Sequence, residues 1–380
     1  MVFFVCITAN QSHLRPVCES TKFNSKIQRT IYLINFQQLR LYVPDFIRTV
    51  VIYIMKNEYI EKAKRLSEQE KNIAKNKWQC MCPHCSDPAI NSHLLQRHGL
   101  LSHIVENGHL YEIGREDFYR WDEKSPIKIK KVGLQQAISF PLFCNKHDTE
   151  LFAPIEGNLI DFDDYRSQLL FSYRGLCSEI RKKEFNQIRN VAFDEGEIKD
   201  AVFAGTECGL KDLQYYKYLF EQELDIAKQK FEFFHISYPL IKVCASGAVS
   251  YEQIDYGNEL SEEKALMKKV WDSFFINIIP QEKTLEIIIG YHKNYVNSDL
   301  RKYVESWQKL SFEELQVKIT DLFASKLETW CISPSLYESI SDEKKQKFMD
   351  IKEDVQLDFF YDIRNEVDFN LFADSNDDAF

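Results

Sequence analysis

The stretch "QCMCPHCSDPAINSHLLQR", residues 79–97, places three cysteines within six positions and puts His93 eight residues after the last of them. Cys82 and Cys85 have the spacing C-x2-C. Zinc favours this spacing because a tight turn can direct two thiolates at one tetrahedral ion. The stretch therefore predicts a zinc knuckle, and the rest of the chain has to supply two more ligands.

A matching pair occurs in "FCNKHDTELF", residues 143–152, where Cys144 and His147 are again separated by two residues. The pair follows an apolar segment with the composition of a strand and opens a segment with the composition of a helix. A C-x2-C knuckle joined to a distant C-x2-H is a specific zinc pattern. The predicted ligands of one structural Zn²⁺ are Cys82, Cys85, Cys144 and His147.

A second assignment is consistent with the same residues. Because Cys80 lies two positions before the knuckle, a purely local site is an alternative. Its ligands would be Cys80, Cys82, Cys85 and His93. The role of Cys80 stays open at this point.

Composition indicates an ordinary globular protein. Of 380 residues, 44% are hydrophobic and 28% are charged, and 12 Gly and 10 Pro are too few for a disordered or fibrous chain. Ten cysteines in a chain of this length do not make a secreted disulfide framework, so a reducing cytoplasm is expected. The sequence contains no phosphate-binding P-loop motif and no α/β-hydrolase nucleophile motif.

The N-terminal part is expected to be an extension without a settled fold over residues 1–54. Its opening lacks the basic region and continuous apolar core of a signal peptide. The run "LYVPDFIRTVVIYIM", residues 41–55, contains Pro44, Asp45 and Arg48 and falls short of the ~20 apolar residues that span a bilayer. No membrane association is predicted.

Charge is distributed unevenly. Residues 1–150 carry 21 Lys and Arg against 15 Asp and Glu, whereas residues 151–380 carry 27 against 43. Contact with a phosphate backbone requires local cation density, so a nucleic-acid partner is expected at residues 56–150. Lys128, Lys130 and Lys131 could offer phosphate contacts there, but a solvated strand edge is the favoured interpretation of these three lysines. The acidic region 151–380 is expected to contact a protein partner or to self-associate.

The pattern of apolar residues predicts an α+β fold with five segments. After the extension, residues 55–77 read as an exposed helix and residues 78–157 as the zinc module. Residues 158–372 read as a larger α+β domain with long helices and a mostly antiparallel sheet, and residues 373–380 as an acidic tail. Within the zinc module, an approximately helical stripe of leucines over 93–107 predicts a helix despite Gly99.

The order of motifs in the zinc module resembles the treble-clef form of HNH endonucleases. The resemblance rests on the C-x2-C pair, the step Ser92-His93, and the late C-x2-H followed by Asp148, and it covers about residues 78–157. It implies a small module in which the four knuckle ligands hold a structural zinc ion. It also implies hydrolysis of nucleic-acid phosphodiester bonds.

By matched position, the resemblance makes His93 the general base that activates water and Asp148 the ligand of a catalytic Mg²⁺ or Mn²⁺. A neutral imidazole titrates near working pH and can accept a proton from water. A divalent ion can stabilise the charge that develops on phosphate. Both roles are expectations from the resemblance.

Two functions from different classes are consistent with these observations. The first is an HNH-type endonuclease whose acidic domain senses a trigger or assembles the enzyme, as in bacterial defence or a mobile element. The second is a noncatalytic module in which zinc stabilises a small fold that binds protein or nucleic acid. Convergence of His93 and Asp148 beside a closed zinc site would favour the first.

Overall fold

The structure is a computed structural model and describes residues 45–120, 127–157, 159–192, 197–252, 270–357 and 361–372. Its helices are α1 (Asp45–Lys75), α2 (Asn145–Phe152), α3 (Tyr165–Asn190), α4 (Glu197–Asp225), α5 (Ser298–Ser306), α6 (Phe312–Asp321), α7 (Pro334–Ser339) and α8 (Asp342–Leu357). Its strands are β1 (Ile90–His93), β2 (His109–Arg115), β3 (Ile127–Gly133), β4 (Ser139–Phe143), β5 (Phe231–Pro239), β6 (Val243–Ser250), β7 (Ser273–Pro280), β8 (Thr284–His292) and β9 (Trp330–Ile332).

Seven of these strands form one sheet in the order β3-β2-β9-β6-β7-β8-β5, and each neighbouring pair in it is antiparallel. Helices and an antiparallel sheet confirm the predicted α+β class. Strands β2 and β3 belong to the segment 78–157, yet they join this sheet through β9. The sheet therefore crosses the boundary predicted near residue 157.

The interior strand β7 shows how the sheet is buried on both faces. Phe274, Ile276 and Ile278 contribute to the core on one face, whereas Phe275 and Ile279 contribute to the core on the other. This alternation follows from the two-residue period of a strand. The sheet is thus the middle layer of the molecule, with a separate hydrophobic core on each side.

Helix α3 is the central helix of one of these cores. Every residue from Ser167 to Arg181 is buried. The helix packs against α1, α4, β4, β6 and β7. A helix covered on all sides gives a fixed reference for each element that touches it, including the strand and helix that carry the predicted zinc ligands.

Helix α1 begins at Asp45 and so extends the helix predicted over 55–77 toward the N-terminus. It is not exposed on every side, because Ala63, Leu66 and Ile73 are buried. Arg189 on α3 donates a hydrogen bond to Glu70, with Nε and Oε1 2.5 Å apart. The helix is therefore attached to the core of the molecule along one face.

The prediction of a helix over residues 93–107 is wrong. His93 ends strand β1, and the residues that follow form turns with a single 3-10 turn at Leu101–His103. Leu94, Leu95 and Ile104 are nonetheless buried. The apolar residues are therefore buried, as their pattern indicates, but they are not helical. Tertiary contacts outweigh the local helix propensity, which Gly99 already lowers.

The remaining predictions about the chain ends are tested only in part. Residues 1–44 of the predicted extension and the predicted acidic tail 373–380 lie outside the described residues. Among the helices that the structure describes, none combines the length and the apolar character needed to cross a bilayer.

Gly175 marks the closest approach of α3 to the sheet. A Cβ atom built on Gly175 would lie 2.6 Å from the Ser246 Oγ atom and 3.0 Å from the backbone nitrogen of Gly247. Real Cβ atoms essentially never lie 2.6 Å from another atom, and a 3.0 Å contact with backbone is tighter than nearly all real ones. The helix and strand β6 would have to separate to accept a side chain at this position.

We predict that Gly175→Ala lowers the free energy of unfolding by about 1–3 kcal/mol, the usual cost of overpacking a core. Gly133→Ala is the matched control, because no atom lies within 4 Å of a Cβ built at Gly133. Chemical denaturation of the wild type and both variants measures the difference. Equal stability of the Gly175 and Gly133 variants would contradict the close contact.

His235 on β5 joins the sheet to the loop that precedes α3. Its Nε2 atom lies 2.7 Å from Glu286 Oε2 on β8, and its Nδ1 atom lies 2.9 Å from Asp163 Oδ1. These contacts raise the pKa of His235 above its ordinary value, with the hydrogen bond to Glu286 the largest cause. The charged imidazolium is thus the form that the fold favours.

We predict that His235→Gln is more destabilising at pH 6 than at pH 9. A histidine whose pKa is raised by folding adds stability below its unfolded pKa, and this stability is lost as pH rises through the folded pKa. Denaturation curves of wild type and variant at the two pH values give the comparison. A difference in stability that grows with pH would have the wrong sign.

Candidate metal centre

Residues 78–89 form a small hairpin that presents the first cysteines. The Cys80 backbone nitrogen donates to the Asp87 carbonyl at 2.9 Å, and the Ala89 nitrogen donates to the Trp78 carbonyl at 2.8 Å. These two hydrogen bonds hold the arms of the hairpin together. The hairpin therefore holds Cys80 and Cys85 close together.

A tight turn closes this hairpin. The Cys85 nitrogen donates to the Cys82 carbonyl at 3.3 Å, and His84 has a φ of 59°. Proline at the second position and a left-handed residue at the third are typical of a type II turn. Pro83 and His84 thus explain why the chain reverses at this point.

Two further contacts fix the hairpin against the molecule. The Met81 nitrogen donates to the Leu142 carbonyl on β4 at 2.8 Å. From α3, Arg181 donates to the Gln79 carbonyl at 3.0 Å, and its guanidinium lies 4.4 Å from the centre of the Trp78 ring. The hairpin is therefore positioned beside the end of β4, where Cys144 begins α2.

Cys144 is the N-cap residue of α2, and its carbonyl accepts the first helical hydrogen bond, from the Asp148 nitrogen at 2.9 Å. The backbone N–H of His147 lowers the pKa of the Cys144 thiol, despite the opposing effect of burial. Amides at a helix start favour a thiolate, which is the form of cysteine that binds metal. The first turn of α2 also brings His147 to the same side as Cys144.

Four side chains converge where the hairpin meets α2. The Sγ atoms of Cys80, Cys85 and Cys144 and a ring nitrogen of His147 all lie within 4.8 Å of one another. The Nδ1 atom of His147 lies 3.4 Å from Cys80 Sγ and 3.3 Å from Cys144 Sγ, and the Sγ atoms of Cys85 and Cys144 are 3.9 Å apart.

These distances suit a tetrahedral zinc ion. Zn–S bonds of ~2.3 Å and a tetrahedral angle place two sulfur ligands about 3.8 Å apart. Three thiols and one imidazole complete the coordination of a structural site, with no position left for water. The cluster can therefore hold a zinc ion.

This ligand set differs from the predicted one at a single position. Cys85, Cys144 and His147 are brought together as expected, but the fourth member is Cys80 rather than Cys82. Cys80 and Cys82 are both buried in the same hydrophobic core, but within the described part of the chain only Cys80 joins the group of convergent ligand atoms. Burial raises the pKa of the Cys82 thiol. The way the hairpin packs decides which thiol faces α2. The hydrogen bond from the Met81 nitrogen to the Leu142 carbonyl on β4 places the neighbouring Cys80 beside Cys144.

The local alternative with His93 as a ligand is also not formed. The Nε2 atom of His93 lies 3.0 Å from the Leu134 carbonyl oxygen, and His93 is absent from the cluster of convergent ligands in the described part of the chain. His93 therefore remains outside the zinc site.

His93 occupies the end of β1, where it pairs with Ser139 of β4, and it is half-buried. Burial lowers the pKa of His93 below its ordinary value of 6.5, and the nearby positive charges of Arg97 and Arg174 act in the same direction. The hydrogen bond to the Leu134 carbonyl and, to a smaller extent, the negative charge of Asp148 oppose these effects. The imidazole is thus neutral at pH 7 and within electrostatic range of Asp148.

Asp148 lies in the first turn of α2 and forms an ion pair that the sequence did not predict. Arg174 of α3 donates from Nη2 to Asp148 Oδ1 at 3.3 Å and to Glu156 Oε1 at 2.6 Å. The Arg174 side chain is 1% exposed. A single arginine within the apolar sequence "LLFSYRGLC", residues 169–177, was the available signal, because a buried charge requires a partner.

Glu156 also connects to the segment that follows His93. The Gln96 side-chain amide donates to the Glu156 backbone carbonyl at 2.5 Å. Gln96 lies three residues after His93, so the loop that leaves β1 is attached to the segment that leaves α2. A polar cluster of His93, Gln96, Asp148, Glu156 and Arg174 thus lies beside the zinc ligands.

The lysines considered for phosphate contact each have an acidic neighbour. Lys128 Nζ lies 2.9 Å from Glu116, Lys130 Nζ lies 3.6 Å from Glu112, and Lys131 Nζ lies 3.6 Å from Glu338. The side chains of all three lysines are at least 42% exposed. They lie on β3, at one edge of the sheet, where such pairs keep the edge soluble.

No known family model matches this sequence, and neither the curated proteins nor the solved structures contain a significant match to it.

We predict that Cys80→Ser loses the bound zinc whereas Cys82→Ser retains about one zinc per chain. The first substitution removes a ligand and with it folding free energy, while the second exchanges a buried thiol that faces the core. Elemental analysis of the purified proteins measures the zinc, and thermal unfolding reports the accompanying loss of stability. Zinc retained in Cys80→Ser and lost in Cys82→Ser would restore the ligand set predicted from spacing.

Proposed function

We propose that this protein is a zinc-stabilised endonuclease of the HNH type, in which His93 activates the water that attacks a phosphodiester bond. The order of elements supports the proposal. A cysteine hairpin is followed by the antiparallel pair β1 and β4 and then by α2, whose first turn supplies the last two zinc ligands. This is the order expected from the treble-clef resemblance, with β2 and β3 inserted between the paired strands.

The hydrogen bond between His93 and Leu134 carries the proposal. A carbonyl oxygen can only accept, so Nε2 of His93 must hold the hydrogen. In the neutral imidazole the lone pair then resides on Nδ1, which can accept a proton. The backbone thus fixes both the orientation and the tautomer of the proposed base, as a general base requires.

The proposed reaction is a hydrolysis. His93 Nδ1 takes a proton from water as the water oxygen bonds to phosphorus. The bond from phosphorus to the leaving oxygen then breaks, and that oxygen receives a proton, which gives a phosphomonoester and a hydroxyl group. Zinc would take no part in this step, because its four ligands complete a structural site.

Negative charge develops on the phosphate during this reaction, and a cation has to stabilise it. The resemblance assigns this role to Mg²⁺ or Mn²⁺ bound by Asp148. A divalent ion at this position would compete with Arg174 for the same carboxylate. The assignment of Asp148 as a metal ligand stays a prediction.

The noncatalytic function is the second candidate, and the closed zinc cluster favours it. Three thiols and one imidazole join a hairpin to a helix and need no reaction to explain them. In this case His93 would serve only to attach β1 to the Leu134 carbonyl. Activity measurements on His93 variants distinguish the two functions.

For the endonuclease, we predict that His93→Ala keeps its zinc but cleaves DNA or RNA roughly 10²–10⁴-fold more slowly, which is the usual contribution of a positioned general base. His98→Ala is the control, because His98 is exposed and the hydrogen bond described for its side chain comes from the neighbouring Arg97. Single-stranded and double-stranded substrates of both nucleic acids should be tested. Zinc loss and unfolding in His93→Ala would instead assign His93 a structural role.

The pH dependence of cleavage provides a second readout of the same base. Only the neutral imidazole can accept a proton, so the rate should rise with pH through the pKa of His93. Because that pKa is lowered, the inflection should lie below the ordinary 6.5. A rate that falls as pH increases across this range would contradict the assignment.

A further inference from the structure

Arg174 is a buried charged residue whose guanidinium is paired with two carboxylates. Its side chain is 1% exposed, and its guanidinium carbon lies 3.9 Å from the centre of the Phe152 ring. Burying a guanidinium is costly unless it is paired. The two carboxylates of Asp148 and Glu156 provide that pairing.

The two carboxylates reach Arg174 from different segments. Asp148 lies in the first turn of α2, whereas Glu156 follows the end of that helix. Oxygens from both lie within 3.3 Å of the single Nη2 atom. Two carboxylates that converge on one point can hold a guanidinium or, together with further oxygen ligands, a divalent cation.

The guanidinium is not fully satisfied by these contacts. Within the described part of the chain, the buried Nε atom of Arg174 has no hydrogen-bond partner. A buried donor without a partner lowers stability, so the position is not optimised for stability alone. This observation is independent of the ion pairs and indicates that Arg174 serves a local electrostatic purpose.

We propose that Arg174 is the internal cation of the His93 site and occupies the place between Asp148 and Glu156 that a divalent metal ion would otherwise take. The catalytic role of Arg174 rests on the proposed endonuclease function. The placement of Arg174 in a position that excludes a divalent ion from Asp148 and Glu156 does not. The only metal ion required by the wild-type protein would then be the zinc ion of the cysteine cluster. Mg²⁺ and Mn²⁺ would not be needed at Asp148.

This arrangement gives the site a fixed positive charge. Arg174 holds both carboxylates in one cluster, and its own charge lies within range of His93, where it helps to keep the imidazole unprotonated. In a buried setting such a charge is little screened by water. Arg174 thus acts as a positioning residue, with an electrostatic effect on the phosphate and on the base.

The direct test is a titration of the zinc-loaded protein with Mn²⁺. Electron paramagnetic resonance measures the concentration of free Mn²⁺ and so reports how much is bound. The wild type should bind no Mn²⁺ beyond its zinc. Arg174→Met should gain one site whose affinity for Mn²⁺ is on the order of tenfold or more above the weakest binding that the titration detects, because two carboxylates lose their counter-charge. Adding Asp148→Asn to Arg174→Met should abolish the gained site.

Cleavage gives a second readout that a purely structural role would not move. Wild-type cleavage should be unchanged when Mg²⁺ and Mn²⁺ are removed without removing zinc. Arg174→Met should be inactive in their absence and should recover part of its activity with Mn²⁺. If no variant or wild-type protein cleaves any substrate, the endonuclease proposal fails while the Mn²⁺ titrations still decide the occupancy.

Stoichiometric Mn²⁺ binding to the wild type that Asp148→Asn removes would overturn the inference. A folded, zinc-loaded Arg174→Met that gains no Mn²⁺ site would overturn it as well. Should Arg174→Met fail to fold, Arg174→Lys replaces it. Lysine retains the positive charge, so this variant should bind no Mn²⁺, and Mn²⁺ binding by it would count against the inference.

Discussion

Four ligand atoms from two distant parts of the chain have to share one coordination sphere, and the arrangement around His93 depends on this constraint. Cys80 and Cys85 lie on a hairpin, whereas Cys144 and His147 open a helix almost sixty residues later. When a metal ion joins them, the hairpin, β4 and α2 become one unit. A bound ion would add its binding free energy to the packing of buried side chains such as Leu94, Leu101 and Phe143.

Helix α3 supports this unit and connects it to the sheet. The same buried helix fixes the cysteine hairpin through Arg181, holds the carboxylates near His93 through Arg174, and approaches β6 closely at Gly175. Because interiors are close-packed, a shift of α3 would be felt at all three places. The candidate metal cluster and the polar residues around His93 are therefore mechanically linked to the larger part of the molecule.

The sequence allowed prediction of those features that depend on local chemistry and periodicity. The α+β class, with long helices and a mostly antiparallel sheet, follows from apolar spacing, and three of the four convergent ligands follow from the C-x2-C and C-x2-H patterns. The choice of Cys80 over Cys82 was not predictable, because it depends on how the hairpin docks against β4. The same holds for Arg174, whose partners come from segments that only the tertiary fold brings together, and for β2, which pairs with the distant β9.

The most direct test of this account is a ¹H–¹¹³Cd correlation spectrum of protein in which cadmium replaces the metal ion. Couplings through the metal bonds identify each ligand residue individually, and cadmium accepts the same thiolate and imidazole donors as zinc. The account predicts one cadmium resonance, with correlations to the β-protons of Cys80, Cys85 and Cys144 and to the ring of His147. A correlation to Cys82 or His93, or the absence of any bound ion, would contradict it.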